Sequence, residues 1–339
     1  MDHRPPVLAA MRRELLPLLF SDQATARLHR LVDIDATLVA EDFEEAGART
    51  ALSRAEVLLT GWDCPPIDAR VLAGAPRLRA VVHTGGSVKH HLTPACWQRG
   101  IQVASAVAAN AVPVAEYTVA ALIMANKRAW PVQRHYTRDR DSLDWLAWTT
   151  RYPEMGNYRR TVGVVGCSQV GRQVIRLLAG LDVTTVVYDP YLPADEAARL
   201  GVRLTGLDEL MAVSDAVTLH APATGETHRM IDRRRLALMR DGSTLINTAR
   251  GSLVDTDALV RELSTGRLWA VLDVTDPDPL PSASPLFDLP NVLLTPHIAG
   301  SLGGELHRLG DSALDELERY THGLPFACPV LAEHLANSA

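Results

Sequence analysis

Cysteine is scarce in this chain. Its 339 residues carry four, Cys64, Cys96, Cys167 and Cys328, scattered and without a C-x-x-C pair. Such spacing offers no disulfide framework and no thiolate metal site; in a chain of this size it reads as free thiols in a reducing compartment. Lysine is scarcer still. Lys89 and Lys127 are the only two, so the basic residues are nearly all arginine, which speaks of genome composition rather than function. Positive charge is not in excess: the formal net charge is −6, which gives no reason to expect nucleic acid or an acidic membrane as partner. A secretory leader is not evident. The opening MDHRPPVLAAMRRELLPLLF lacks a basic stretch leading into a clean apolar core, because Arg12, Arg13 and Glu14 interrupt it. No apolar run is long enough to span a bilayer, so the expected location is the cytoplasm. What remains is an ordinary soluble composition, 47% hydrophobic and 22% charged, with length enough for two domains and two cores.

The most informative stretch is 161–190, TVGVVGCSQVGRQVIRLLAGLDVTTVVYDP. Residues 161–165 form a short apolar run rich in β-branched residues, the pattern of a buried parallel strand. Gly166 ends it with a tight turn. From Gln169 to Leu181 the apolar residues Val170, Val174, Leu177 and Leu178 recur at helical spacing, and Val183–Tyr188 reads as a second buried strand with Asp189 at its carboxyl end. Strand, glycine turn, helix, strand and acidic residue together make the dinucleotide-binding arrangement. Backbone N–H groups approach a pyrophosphate, the helix N-terminus favours its charge, and Asp189 accepts hydrogen bonds from a ribose. A carboxylate there disfavours a 2′-phosphate, which points to NAD over NADP. Ser168 stands where the middle glycine of G-x-G-x-x-G belongs. The alternative is an ordinary strand–helix turn. A nucleophile elbow fails, because G-x-S-x-G would require glycine at Val170.

Around this unit the chain alternates strands and helices. Residues 1–105 give strands at 7–11, 55–60, 78–83 and 101–104, with helices at Asp22–Leu31, 68–73 and Pro94–Gln98, a small parallel α/β domain. Its strand 78–83 runs into Thr84-Gly85-Gly86-Ser87. That turn lies at a sheet's carboxyl edge, where N–H groups hold a small anion or merely turn the chain. Residues 111–129 read as a long, nearly continuous apolar helix, too polar at Glu116, Asn126, Lys127 and Arg128 to be transmembrane, and suited to joining domains or meeting another subunit. Residues 130–158 read as a short helix plus a loop. Further strands are expected at 216–220, Thr244–Asn247, 269–274 and 291–295, with helices at 233–239, 255–263 (capped by Asp255) and 302–321. One sheet of six or more parallel strands follows.

Arg250, Asp278 and His297 each follow a strand of this second sheet, so a cation, a carboxylate and an imidazole converge where open α/β sheets bind ligands. The set suits hydride transfer at a carbonyl. An imidazole exchanges the proton of the oxygen, a carboxylate beside it holds its charge and tautomer, and arginine grips a substrate carboxylate bidentately. Each residue alone has a plainer reading: a structural histidine, a domain-bridging arginine, a solvated loop carboxylate. His90-His91 looks like a metal pair only superficially, since neighbours on one element point apart and a third ligand is missing, so no metal is assigned.

These residues match a family. Residues 163–171 with Asp189, LHAPAT at 219–224 with Thr227, INTARG at 246–251, LDV at 272–274, NVLLTPHIAG at 291–300 and NAVPVAE at 110–116 together resemble the D-isomer-specific 2-hydroxyacid dehydrogenases over nearly the whole chain. The resemblance implies a Rossmann-type doubly wound nucleotide domain, residues 106–300, inserted into a smaller flavodoxin-like α/β substrate domain made of 1–105 and 301–339. It implies Arg250 as the substrate-binding arginine, His297 as acid/base and Asp278 as the third member, where the family usually has glutamate. Gly85, Gly86 and Ser87 match its carboxylate-binding loop, and Asn110 a position near substrate or nicotinamide. The implied NAD contacts are Gly166, Ser168, Gln169, Val170, Gly171, Asp189, Pro190, His220, Ala221, Pro222, Thr227, Thr248, Ala249, Asp273 and Gly300. A homodimer through the nucleotide domain is also implied. Two other readings stay open on the same scaffold. One is a phosphonate- or formate-type dehydrogenase; the other is an NAD-sensing scaffold like the C-terminal binding protein corepressors.

Overall fold

The computed structural model describes residues 4–140 and 144–333. Residues 1–3 and 334–339 of the expected substrate domain, and 141–143 of the segment 130–158, lie outside the described residues. The chain divides into two compact units. One holds the residues up to Ala111 and those from Ser301 onward; the other is Val112–Gly300.

The first unit is built on five parallel strands: β1 (Pro6–Ala10), β2 (Asp33–Ala40), β3 (Val57–Thr60), β4 (Ala80–His83) and β5 (Gln102–Ser105). Their order is β2-β1-β3-β4-β5, with all pairings parallel, which is the flavodoxin-like order. Side chains alternate across the sheet. Val7, Ala9, Val57, Leu59 and Val82 face one core, which Leu28 of helix Asp22–Leu31 and Leu309, Leu314 and Leu317 of helix Leu306–Thr321 complete. Leu8, Ala10, Leu58, Val81 and Val103 face the other, with Leu52, Val71 and Leu72 from helices Ala46–Leu52 and Ala69–Gly74. Burial on both faces explains why β3 and β4 read as unbroken apolar runs.

The second unit has seven parallel strands: β6 (Arg160–Val165), β7 (Val183–Tyr188), β8 (Arg203–Leu204), β9 (Ala216–Leu219), β10 (Thr244–Asn247), β11 (Trp269–Leu272) and β12 (Val292–Leu294). The order β12-β11-β10-β9-β6-β7-β8 reverses at β6, between β7 and β9, the doubly wound arrangement. Two cores flank it. One gathers Val165, Val186, Leu219, Leu245 and Leu272; the other gathers Val164, Val187, Ile246 and Val271 with Val174 and Leu178.

Several boundaries differ from the sequence expectation. The helix expected at 111–129 is Val107–Asn126. By length and composition it is apolar enough to cross a membrane, yet Ala115, Val119, Leu122 and Ala125 are buried in the second unit's core. It stops because Arg128 takes φ +51 and turns inward. There the guanidinium donates to the Gly242 carbonyl and to Thr244 Oγ1 at 3.3 Å, and lies 4.5 Å from the Trp269 ring centroid. The segment expected as one short helix and a loop holds two helices, Ala129–Asp139 and Trp145–Arg151. The last helix is preceded by a 3₁₀ turn, Gly303–Glu305.

Candidate active site

The glycine turn after β6 is a close fit of backbone against backbone. Gly166 has φ +94, and a Cβ there would lie 2.6 Å from the Ala221 nitrogen. Its N–H donates to the Tyr188 carbonyl at 2.8 Å. A Cβ on Gly171 would collide with the Gly166 carbonyl oxygen, so the helix Gln169–Leu178 can sit on the turn only with glycine there. Ser168 has φ −66 and ψ −176, which any residue adopts, and its Oγ accepts the Gly171 N–H at 3.4 Å. The residue in the place of the middle glycine is therefore the helix N-cap. Among the described residues, the N–H groups of Ser168, Gln169 and Val170 have no acceptor. Three free amides at the start of a ten-residue helix fit a pyrophosphate. Asp189 is half-buried at the end of β7. Its Oδ2 accepts the Cys167 N–H at 2.6 Å and its Oδ1 the Tyr191 N–H at 2.8 Å, leaving lone pairs on both oxygens; Pro190 beside it is exposed.

The loop after β9 backs this turn. His220 donates its N–H to the Val165 carbonyl at 2.7 Å, its Nε2 lies 2.9 Å from Thr218 Oγ1, and its buried Nδ1 has no partner. Burial pushes its pKa down to about 3, so the ring is neutral. Thr227 Oγ1 donates to the Pro222 carbonyl at 2.6 Å and accepts the Thr224 N–H at 2.9 Å, bracing the loop from inside.

The three candidate chemical residues lie in this same unit. Asn247, at the end of β10, shapes the turn carrying Arg250: its Nδ2 donates to the Arg250 carbonyl at 2.8 Å and its Oδ1 accepts the Ala249 N–H at 3.1 Å. Thr248 Oγ1 lies 2.8 Å from Thr118 Oγ1 and is buried. A Cβ on Gly251 would collide with the Thr275 carbonyl, so the Arg250 turn lies against the loop that leads to Asp278. The Arg250 guanidinium donates to the Ala249 carbonyl at 2.7 Å, and among the described residues it has no carboxylate partner. Burial holds its pKa below the usual arginine value, though a guanidinium stays charged. His297 Nδ1 stands 3.9 Å from Asp278 Oδ2, an ion-pair distance longer than a hydrogen bond, with side chains 57% and 58% exposed.

His297 has φ +56, a left-handed backbone uncommon for a residue with a side chain. Asp273, 2% exposed, holds it there. Oδ1 accepts Thr295 Oγ1–H at 2.7 Å and the Ile298 N–H at 2.8 Å; Oδ2 accepts the Ala299 N–H at 2.9 Å; the Asp273 carbonyl accepts the His297 N–H at 2.9 Å. Tyr117 OH, 2.8 Å from Thr295 Oγ1, extends the chain of bonds, and burial pushes its phenol pKa up. Gly300, half-buried, closes the turn. Sequence reasoning missed Asn247, Tyr117 and Thr295. Their partners are set by the fold, and only the positions of Asn247 and Thr295 at expected strand ends were a signal.

The remaining candidates belong to the first unit. Among the described residues the N–H groups of Gly85, Gly86 and Ser87 have no acceptor, so this turn presents three free amides. Asn110 Nδ2 stands beside Gly86, and its Oδ1 accepts the Ser301 N–H at 3.1 Å. Beneath the turn are buried His83 and His91, with ring centroids 4.6 Å apart, while His90 is exposed. The structure thus brings His297 and Asp278 together, lays the Arg250 turn against the Asp278 loop, and assembles Gly85–Ser87 with Asn110.

Comparison with known proteins identifies the scaffold. Residues 120–299 match the family described as "D-isomer specific 2-hydroxyacid dehydrogenase, NAD binding domain". The D-3-phosphoglycerate dehydrogenase of Mycobacterium tuberculosis (strain ATCC 25618 / H37Rv) is 34% identical over 271 residues, 79% of this chain and 49% of the relative. The chain therefore spans about half the length of that relative. The glyoxylate reductase of Thermofilum pendens is 33% identical over 253 residues, 74% of each chain. The crystal structure of the D-lactate dehydrogenase from Aquifex aeolicus, complexed with NAD and lactic acid, superposes with TM-score 0.70 at 26% identity, covering 94% of this chain and 95% of that one. Glycine turn, doubly wound sheet and family match agree, and the chain belongs to the D-isomer-specific 2-hydroxyacid dehydrogenase family.

Proposed function

We propose that the protein is an NAD-dependent oxidoreductase that interconverts a small 2-oxo acid and its D-2-hydroxy acid. The observation that carries this reading is Arg250: a half-buried guanidinium without a carboxylate partner among the described residues, in the unit that also holds the His297–Asp278 pair. A partly desolvated cation without a counter-ion favours meeting an anion, and a planar fork suits a carboxylate. The names of the relatives, phosphoglycerate dehydrogenase and glyoxylate reductase, support a small 2-oxo acid as the substrate class.

When bound, the nicotinamide supplies or accepts the hydride. Arg250 grips the substrate carboxylate as a planar fork. In the other unit, the Gly85, Gly86 and Ser87 amides form a turn suited to a carboxylate. His297 gives its proton to the carbonyl oxygen in reduction and takes it back in oxidation. Asp278 stabilises the imidazolium through space. Asp273 holds the turn bearing His297, Thr248 and Ala249 stand near the reacting groups, and Asn110 serves the Gly85–Ser87 turn of its own unit. The amides of Ser168, Gln169 and Val170 meet the pyrophosphate. Asp189 takes the ribose and rejects a 2′-phosphate, with Pro190 beside it. Gly166 and Gly171 with the His220-Ala221-Pro222 loop, Thr227 and Gly300 complete the cofactor's surroundings. A homodimer through this unit belongs to the same proposal, and the four free cysteines suit the cytoplasm.

The test is NADH oxidation against a panel of 2-oxo acids (glyoxylate, hydroxypyruvate, pyruvate and bulkier members), with NADPH in parallel and His297→Ala as control. Turnover with NADH on one size class, lost by about 10²-fold or more in His297→Ala with NADH binding intact, is expected. Tight NADH binding without turnover on any member would instead indicate a nucleotide-sensing scaffold.

A further inference from the structure

We infer that His83 is a positioning residue for the Gly85–Ser87 turn, its imidazole edge setting the direction in which the free amides of that turn point. The inference rests on the reading of this turn as the substrate-carboxylate loop. His83 is the last residue of β4 and is 2% exposed. Its Nε2 is buried without a partner and lies 2.6 Å from where a Cβ on Gly85 would stand. The ring edge therefore fills the space directly under Gly85, and glycine is the residue that fits above it.

The imidazole is itself held. Its Nδ1 is 3.0 Å from Thr60 Oγ1, and His91 Nε2 is 3.3 Å from the same oxygen. One hydroxyl has one proton, so Thr60 donates to one ring and accepts from the other, which fixes complementary tautomers. The His91 ring is tilted 39° to that of His83 and closes the remaining side. Thr84, which opens the turn, donates both its N–H and its Oγ1–H to the Thr60 carbonyl, at 2.7 and 3.0 Å. Burial pushes both histidines below their usual pKa, His91 to about 4, so the pair is neutral near pH 7.

Why this should matter for binding follows from the turn's own hydrogen bonding. Gly85, Gly86 and Ser87 donate no N–H bond among the described residues, so no ladder or cap orients them. Their direction depends on what they rest on: His83 under Gly85 and Asn110 beside Gly86. A buried ring nitrogen left without a partner is unfavourable by about 1–3 kcal/mol, and a fold that retains one calls for a reason. A rigid wedge beneath an anion-binding turn is such a reason.

The experiment is steady-state kinetics at saturating NADH, with the 2-oxo acid varied and NADH binding measured separately. His83→Asn keeps a group that bonds Thr60 but withdraws the ring edge from Gly85. It is expected to raise KM about tenfold, with kcat and the NADH Kd unchanged within about twofold. Gly85→Ala should raise KM as well, and the double variant should recover part of that loss, because the missing ring makes room for the methyl. Should His83→Asn fail to fold, Thr60→Val removes the shared hydroxyl at nearly constant volume and should raise KM in the same sense. A raised KM in Gly85→Ala with unchanged KM in His83→Asn and Thr60→Val would overturn the role of His83 and leave the turn's role standing. A lowered melting temperature with unchanged KM would mean a purely structural histidine. No effect of Gly85→Ala on KM would remove the turn from substrate binding, and this inference with it.

Discussion

At the scale of single residues, the separation between His297 and Asp278 governs how much the carboxylate contributes. At 3.9 Å, with both side chains more than half exposed, the interaction is screened and worth no more than about 1 kcal/mol. Asp278→Glu adds one methylene, enough to bring an oxygen to hydrogen-bond distance. The variant is expected to raise kcat/KM by up to about tenfold, the equivalent of roughly 1.4 kcal/mol. A fall in kcat/KM would mean that the shorter side chain is already matched to its loop. The buried histidines make a separate prediction about acid. Unfolded histidine takes up a proton near pH 6.5. Folded His220 and His91 do so only at about 3 and about 4, because burial disfavours the charge, helped at His91 by the neighbouring His90. Between those limits the unfolded chain binds more protons, so stability rises with pH and is lost as pH falls below about 6.5. By about pH 5 each such histidine should have removed about 2 kcal/mol. Urea midpoints at pH 7 and pH 5 measure this, and His220→Gln should reduce the difference. Equal midpoints at the two pH values would mean that these rings are solvated.

At the scale of elements, the glycine turn and its helix decide whether a nucleotide can dock. Ser168 caps the helix Gln169–Leu178 through the Gly171 N–H. Ser168→Ala should lower stability by about 1 kcal/mol, while Ser168→Gly should lower it by only a few tenths and keep NADH affinity. Loss of NADH binding in Ser168→Gly would mean that the hydroxyl itself contacts the nucleotide. The same elements show what a sequence reveals. Strands buried on both faces, such as β6, β9 and β10, announce themselves as apolar β-branched runs. β2 (DIDATLVA) does not, because it lies at a sheet edge and most of its first six residues face solvent. The end of helix Val107–Asn126 is set by Arg128 reaching Gly242, Thr244 and Trp269, partners more than a hundred residues away that no local pattern encodes. The site divides the same way. Arg250, Asp278 and His297 are legible because each follows a strand, and strand ends converge. The bonds that hold them, from Asn247, Asp273, Thr295 and Tyr117, and the histidine under Gly85, exist only once the chain has folded.

At the scale of the whole molecule, two parallel sheets with different strand orders each carry groups of their own. The seven-stranded unit carries the free helix-terminal amides, Asp189, the unpaired Arg250 and the imidazole–carboxylate pair. The five-stranded unit carries a turn of free amides built on buried histidines. The proposed function comes down to one chemical event, a hydride moving between nicotinamide and the C2 carbon of a 2-oxo acid while His297 handles the proton. The most direct measurement uses NADH deuterated at the transferable C4 position with a 2-oxo acid that turns over, followed by mass and chiral analysis of the product. One deuterium at C2 of a D-2-hydroxy acid is the expected product. Product without the label, or of L configuration, would contradict the proposed function.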